Sequence, residues 1–310
     1  MSNIRVSHVC REFWRLLAIK NDFTLITLTN TWFILKLLKK LDSTMNFLKL
    51  LDPATVIAQE AGELILKIYS TKFNVEEKDD MSPLTLADTT SHRYITHCLQ
   101  KLTPQIPIIS EESGMPDYDE RKKWDVYWLI DPLDGTKEFV KKNGEFTVNI
   151  ALIINNKPVL GVVDVPAKKH TYIGCKNFGA EIRIKDQKIS QIHVAKHSQN
   201  PIRVAGSRSH AGTSLNVFFK KLNNYKIISM GSSLKFCLIA EGSADIYPRL
   251  SPTSEWDTAA GQAIVEQSGG KVITLDGKSL QYNKKEDILN PHFLVIGPED
   301  YDWINLAKNN

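Results

Sequence analysis

The chain lacks the features of a disulfide scaffold, a thiolate metal site or a membrane span. Its 310 residues hold four cysteines, Cys10, Cys98, Cys175 and Cys237. They are scattered, without the spacing of a zinc site or the density of a disulfide framework, so free thiols in a reducing cytosol are expected. No run of ~20 apolar residues is available to cross a bilayer. The stretch Phe23–Leu35 is uncharged, but Thr24, Thr27, Thr29, Asn30 and Thr31 dilute it and Lys36 ends it. No clean small-residue cleavage site accompanies it, so a secretory leader is not expected. Internal repeats and low-complexity tracts are absent as well.

Excess charge is missing from the body of the chain. The net charge of +4 comes from residues 1–44, where seven Lys/Arg face three acids, leaving 32 of each sign elsewhere. Bulk charge therefore gives no support to binding of a nucleic acid polymer. Two readings of residues 1–44 are open. Translation starts at Met45, which is favoured, or Trp32, Phe33, Leu35, Leu37, Leu38 and Lys39-Lys40 build an interfacial amphipathic helix. The second would place a cytoplasmic protein peripherally on the inner membrane. Residues 45–310 read as one folded unit, with lobes of about 45–200 and 201–310, and any catalytic site is expected within it.

From Met45 onward the chain is well punctuated. Asp52-Pro53 reads as a cap and first-turn proline, followed by Val56, Ile57, Ala61, Leu64, Ile65 and Ile68 at helical spacing. Lys78–Pro83 reads as a polar loop. Asp88 opens a second helix with Ile95, Cys98, Leu99 and Leu102 on its apolar side. Ile106–Ser110 and Tyr127–Asp131 are predicted strands ending in acids. Thr147–Ile154 and Val159–Val165 flank Asn155-Asn156-Lys157-Pro158, a hairpin signal, and strands follow at Thr171–Gly174 and Glu181–Ile184. The second lobe is predicted as strand Ile202–Ala205, helix Ser214–Leu222, strand Lys226–Met230, helix Ser233–Glu241 and strand Ala244–Tyr247. Helix Asp257–Gln267 closes on Gly269-Gly270. The order is antiparallel first and alternating α/β later.

Three acidic segments carry the chemistry: Glu111-Glu112-Ser113, Asp131-Pro132-Leu133-Asp134-Gly135-Thr136 and Trp256-Asp257-Thr258-Ala259-Ala260-Gly261. Converging carboxylates repel one another and need cations, and hard oxygen ligands without a His/Cys cluster suit Mg²⁺ better than zinc. Pro132 stiffens a turn that can hold two carboxylates and the Leu133 carbonyl to one side. Gly135-Thr136 starts a short helix, Thr136–Lys141, whose amides can cradle phosphate. Plainer roles compete: Asp88 and Asp257 as helix caps, Glu112 as an exposed loop acid, and Lys137, Lys141 and Lys142 as solvated surface charge.

Together these motifs, in this order over about Met45–Pro298, resemble the inositol monophosphatase superfamily of Mg²⁺-dependent, lithium-sensitive phosphatases. Trp128–Phe139, Asn143–Leu152, Ser207-Arg208-Ser209-His210, Gly231–Cys237 and Tyr247-Pro248-Arg249 resemble its CysQ-type 3′(2′),5′-bisphosphate nucleotidases. The resemblance implies a sugar-phosphatase-like layered αβαβα fold of the α/β (α+β) class. It implies removal of the 3′-phosphate from 3′-phosphoadenosine 5′-phosphate, leaving AMP, by water in an in-line displacement, which clears a by-product of sulfate assimilation. Two or three Mg²⁺ per site are implied. Glu111, Asp131 and the Leu133 carbonyl would hold one ion, and Asp131, Asp134 and Asp257 a second. Asp88, Thr136 and Glu111 would serve the attacking water. Gly135, Thr136, His210, Ser232, Lys235, Arg249 and Asp257 would contact the nucleotide bisphosphate. Glu255 has no counterpart role. An inositol or sugar phosphate phosphatase of the same superfamily is the alternative, and an inactive nucleotide-binding homologue a further one.

Overall fold

In the computed structural model the described residues are 28–72, 75–77, 83–206 and 213–308. Two large sheets alternate with three helical layers, and Val75–Glu77 pairs with Pro83–Thr85 in a third, two-stranded sheet. The chain order is α1 (Leu28–Tyr69), β1 (Val75–Glu77), β2 (Pro83–Thr85), α2 (Leu86–Leu102), β3 (Ile108–Ser110), α3 (Tyr118–Arg121), β4 (Val126–Asp134) and α4 (Thr136–Val140). Next come β5 (Thr147–Ile154), β6 (Lys157–Val165), β7 (His170–Cys175), β8 (Gly179–Ile184) and β9 (Ser190–Gln191). The remainder is β10 (Ile202–Gly206), α5 (Thr213–Lys221), β11 (Tyr225–Ser229), α6 (Leu234–Ala240), β12 (Ile246–Arg249), α7 (Ala259–Gln267), β13 (Lys271–Thr274), β14 (Phe293–Ile296) and α8 (Trp303–Lys308).

Strands β3 to β9 form a seven-stranded sheet in sequence order, antiparallel except for the β3–β4 pair. The second sheet has five strands in the order β11-β10-β12-β14-β13, with β10 parallel to both neighbours. Period-two alternation assigns each strand's side chains to two cores. Trp128 and Ile130 of β4 pack with Ile57, Ile65, Ile95 and Leu99 of α1 and α2. Tyr127 and Leu129 face the other way, into a core shared with α6, α7 and the inner face of the second sheet. On the outer face of that sheet, Val204, Ile246 and Leu294 meet Phe218 of α5 and Trp303 of α8. The layered αβαβα arrangement is therefore present, with an antiparallel first sheet and an α/β second one.

Local chemistry explains most element ends. The β5–β6 hairpin turns through Asn155 and Asn156, both at positive φ (49° and 65°), as a two-residue turn of matching twist requires. Helix α7 lies against β6 so closely that a Cβ on Gly161 would sit 2.3 Å from the Ala260 carbonyl oxygen. Only glycine permits that approach.

Two expectations need correction. Asp52-Pro53 does not start a helix, because α1 runs through it with Pro53 inside. Proline there removes one donor from the ladder, yet Leu51, Ala54, Ile57, Ala58 and Ala61 are buried on the sheet side and hold the helix in place. Asp88 does not cap α2 either. Thr85 is the N-cap, and Asp88 is the third residue of the helix, its side chain accepting from the Thr85 N–H in a capping box.

The chain divides into two units, Met1–Met45 and Asn46–Asn310, and the layers above, with α1 counted from Asn46 on, belong to the second. Among the described residues no helix is long and apolar enough to cross a membrane. His210, with Ser207–Ser209, and most of the Lys78–Pro83 loop lie outside the described residues.

Candidate active site

The site grows from a bulge in β4. Asp131 pairs with Asn149 and Asp134 with Thr147, so three residues of β4 advance against two of β5. Pro132 has no N–H to give the ladder, which favours a break there, and the extra residue re-aims both acids. The turn is held by the Ser91 hydroxyl, which donates to the Pro132 carbonyl at 2.7 Å, and by the Leu133 N–H, which donates to Asp131 Oδ1 at 3.1 Å. Gly135 then takes φ +91° and begins α4, and a Cβ on it would meet the Glu145 carbonyl and Ser232.

Three carboxylates gather beside this turn. Glu111 follows β3, Asp131 ends the regular part of β4, and Asp257 lies in the short helical turn Glu255–Asp257 ahead of α7. One oxygen from each lies within 4.8 Å of the other two. Burial, and then the charges of Glu111, Asp134 and Asp257, push the Asp131 carboxyl well above its ordinary range. Burial, and then Asp134 and Glu111, raise Asp257 to about 8. A divalent cation relieves that repulsion, and an all-oxygen donor set suits a hard ion. These residues fit such an ion.

Asp134 is held differently from the other three acids. Its Oδ2 accepts from Ser232 Oγ at 2.7 Å, from the Ser233 N–H at 2.6 Å and from Ser233 Oγ at 2.8 Å. Asn149 Nδ2 adds a long contact at 3.4 Å and bonds Ser233 Oγ at 2.9 Å. One oxygen is thus saturated by the start of α6, leaving Oδ1 to face any other partner. Sequence reasoning missed Asn149 and Ser233, because their roles arise from residues far apart in the chain.

Thr136 and Asp88 meet on the other side of the turn. Thr136 Oγ1 donates to Asp88 Oδ1 at 3.0 Å, while Asp88 Oδ2 accepts from the Thr85 N–H at 2.8 Å and the Thr85 hydroxyl at 2.7 Å. Burial raises the Asp88 carboxyl, and the Thr85 bonds pull it part of the way back.

A cavity of about 310 Å³ opens from Asp134, Gly135 and Asp257 and is lined also by Ser232, Lys235 and Arg249. Lys235 is 6 % exposed, and its Nζ donates to the Ser232 and Met230 carbonyls at 2.5 and 3.3 Å. Burial lowers its pKa to about 8. Arg249 Nη2 donates to the Pro252 carbonyl at 2.8 Å, and its Nε is buried without a partner. Lys137 and Lys141, read from sequence as solvated surface charge, also line this cavity. Their four-residue spacing on one helix face was the available signal.

Comparison with known proteins agrees with this architecture. Residues 41–302 match the inositol monophosphatase family. A 3′(2′),5′-bisphosphate nucleotidase CysQ of Escherichia coli K12 is 45% identical over 248 residues, covering 79% of this chain and 99% of that protein. The same-named protein of Buchnera aphidicola is 48% identical over 238 residues, covering 76% of this chain and 88% of its own. The crystal structure of CysQ from Bacteroides thetaiotaomicron superposes with a TM-score of 0.68 at 42% identity, covering 79% of this chain and 96% of that one. Layered fold, acidic cluster and matched span lead to one assignment: the chain belongs to the inositol monophosphatase family, whose members depend on metal ions.

Proposed function

We propose that this protein is a Mg²⁺-dependent 3′(2′),5′-bisphosphate nucleotidase that hydrolyses the 3′-phosphate of 3′-phosphoadenosine 5′-phosphate to give AMP and phosphate. The observation that carries the reading is the join of two sites. The Glu111–Asp131–Asp257 cluster and the Asp88–Thr136 pair border the same bulged turn, which opens into a cavity lined by four cationic side chains. The cavity's acids, Asp134, Glu138 and Asp257, leave a net charge of +1 that bound Mg²⁺ would raise. A substrate with two phosphates suits that balance, and the 45% identical relative carries the matching name.

In this reading Glu111, Asp131, the Leu133 carbonyl, Asp134 and Asp257 hold the metal. Bound Mg²⁺ would supply charge neutralisation and Lewis acidity at the phosphoryl group. Thr136 orients the attacking water, and Asp88, ionised and desolvated, takes its proton. Glu111 assists from the far side of the turn. Ser232 and Gly135 border the transferred phosphate. Lys235 puts charge on the cavity wall while its ammonium braces the Met230–Ser232 turn, and Arg249 has a buried Nε–H to offer an anion. His210 is assigned to the nucleotide by resemblance alone.

The test is phosphate release from 3′-phosphoadenosine 5′-phosphate and, in parallel, from inositol 1-phosphate, with Mg²⁺, without it and with added Li⁺. Preference for the nucleotide, dependent on Mg²⁺ and suppressed by Li⁺, supports the proposal. Preference for inositol phosphate overturns the substrate, and release of phosphate from neither overturns the enzyme.

A further inference from the structure

Glu255 precedes Asp257 by two residues and has no part in the chemistry above, yet it is buried, with 2 % of its surface exposed. Its carboxylate does not join the acidic cluster, and it lines a separate cavity with Lys284 and Lys285. Both of its oxygens accept from one donor, the Asn283 N–H, at 2.9 Å each. Asn283 stands at φ +55° and donates its side-chain amide to the Arg121 carbonyl at 2.6 Å. The buried Arg121 guanidinium returns bonds to Asn283 Oδ1 and to the Glu286 carbonyl. Further along the same segment, the Ile288 carbonyl accepts from the Glu255 N–H at 2.9 Å, and Asn290 Nδ2 donates to the Ser254 carbonyl at 2.8 Å and Thr258 Oγ1 at 3.1 Å. The turn that carries Asp257 is therefore clasped from outside at Ser254, Glu255 and Thr258. Inside the turn the Ser254 N–H donates to Asp257 Oδ2 at 2.9 Å, so the position of Ser254 sets that of the carboxylate.

We infer that Glu255 is a positioning residue for Asp257, acting through Asn283 and Arg121 to hold the Ser254–Thr258 turn where its carboxylate meets Glu111 and Asp131. The inference rests on the proposed role of Asp257 in holding metal. Removing a group that orients a ligand typically costs about 10- to 100-fold in metal affinity.

The test is Mn²⁺ binding followed by electron paramagnetic resonance without substrate, beside the Mg²⁺ dependence of phosphate release. Glu255→Gln keeps the shape and removes one full acceptor and the charge. It should weaken Mn²⁺ binding about tenfold and raise half-saturating Mg²⁺ by a like factor. At saturating Mg²⁺, kcat should stay within about twofold of wild type. Arg121→Lys, which loosens the clasp at Asn283 and the Glu286 carbonyl while keeping the positive charge near Glu255, should shift both in the same direction and serves where Glu255→Gln fails to fold. Val272→Ala, in the core under α7, is the control for general loss of stability. Wild-type Mn²⁺ affinity in Glu255→Gln and Arg121→Lys, or a loss no greater than that of Val272→Ala at equal melting temperature, overturns the inference. Asp257→Asn separates the two levels: if it too binds Mn²⁺ normally, the ligand role of Asp257 fails and the inference falls with it.

Discussion

Thr136 donates its hydroxyl to Asp88 across 3.0 Å, joining the start of α4 to the first turn of α2. The other Asp88 oxygen is committed to Thr85, so only one face of the carboxylate is open to a third partner. That geometry suits a general base that shares a water with a hydroxyl. Asp88→Asn should lower kcat by about 10²–10⁴ with KM little changed. Steady-state kinetics decide it, and retention of full kcat would remove Asp88 from the reaction.

The same pair sets a pH dependence. Burial is the main cause holding the Asp88 pKa up, and the Thr136 bond is among those holding it down. A base works ionised, so activity should fall as pH drops through that raised pKa. Thr136→Ala deletes a stabiliser of the ionised form and should move the acid limb of the kcat profile to higher pH. A profile that keeps the wild-type limb, or moves it to lower pH, contradicts the pairing.

Asp134 is oriented by Ser232 and Ser233 at the start of α6. Asp134→Asn should reduce turnover by at least about 100-fold, the scale of losing a group that stabilises charge in the transition state. Ser233→Ala removes a hydroxyl donor and leaves the Ser233 N–H, so its loss should be smaller. Undiminished turnover in Asp134→Asn would take Asp134 out of the metal site.

Selectivity should reside in the cationic wall. If Arg249 holds the second phosphate as proposed, Arg249→Ala should lower kcat/KM by about 10- to 100-fold, the scale of one charge-assisted bond. The loss should appear with the bisphosphate nucleotide and be within a few-fold for inositol 1-phosphate. Lys235→Met should show the same asymmetry. Equal losses on both substrates would refute a role in reading the second phosphate.

Asp164, away from the active site, ties stability to pH. It is 4 % exposed on β6, its Oδ1 accepts from Thr171 Oγ1 at 2.8 Å, and burial raises its pKa to about 7. The folded state therefore keeps a proton that the unfolded chain releases near its ordinary value of about 4. Its contribution is full below that value and is lost as pH rises to about 7. Asp164→Asn should flatten this part of the stability profile and raise stability at pH 8 by on the order of 1–4 kcal/mol. Denaturant melts across pH test it, and an unchanged slope refutes the assignment.

Much of the fold was legible because its signals are local. Short apolar runs marked β4, β5 and β6, and Asn155-Asn156-Lys157-Pro158 marked the β5–β6 hairpin, since both signals lie within a few neighbouring residues. Pro53 misled for the same reason: a local rule for helix starts was outweighed by burial of α1 on the sheet. Capping by Thr85 in place of Asp88 was a shift of three residues within a recognisable box.

By itself the sequence determined which acids exist, in what order, and that each ends a strand or begins a helix, because those are properties of short windows. Tertiary structure decided what each acid does. Ser232 is 98 residues from Asp134 and Asn283 is 162 from Arg121, and no periodicity spans such distances. Those bonds form only when two sheets and the helices between them pack, and packing buries the charges that the site then uses. Glu255 shows the division: in sequence it is an acid beside a motif, and in the folded chain it clasps the turn on which Asp257 stands.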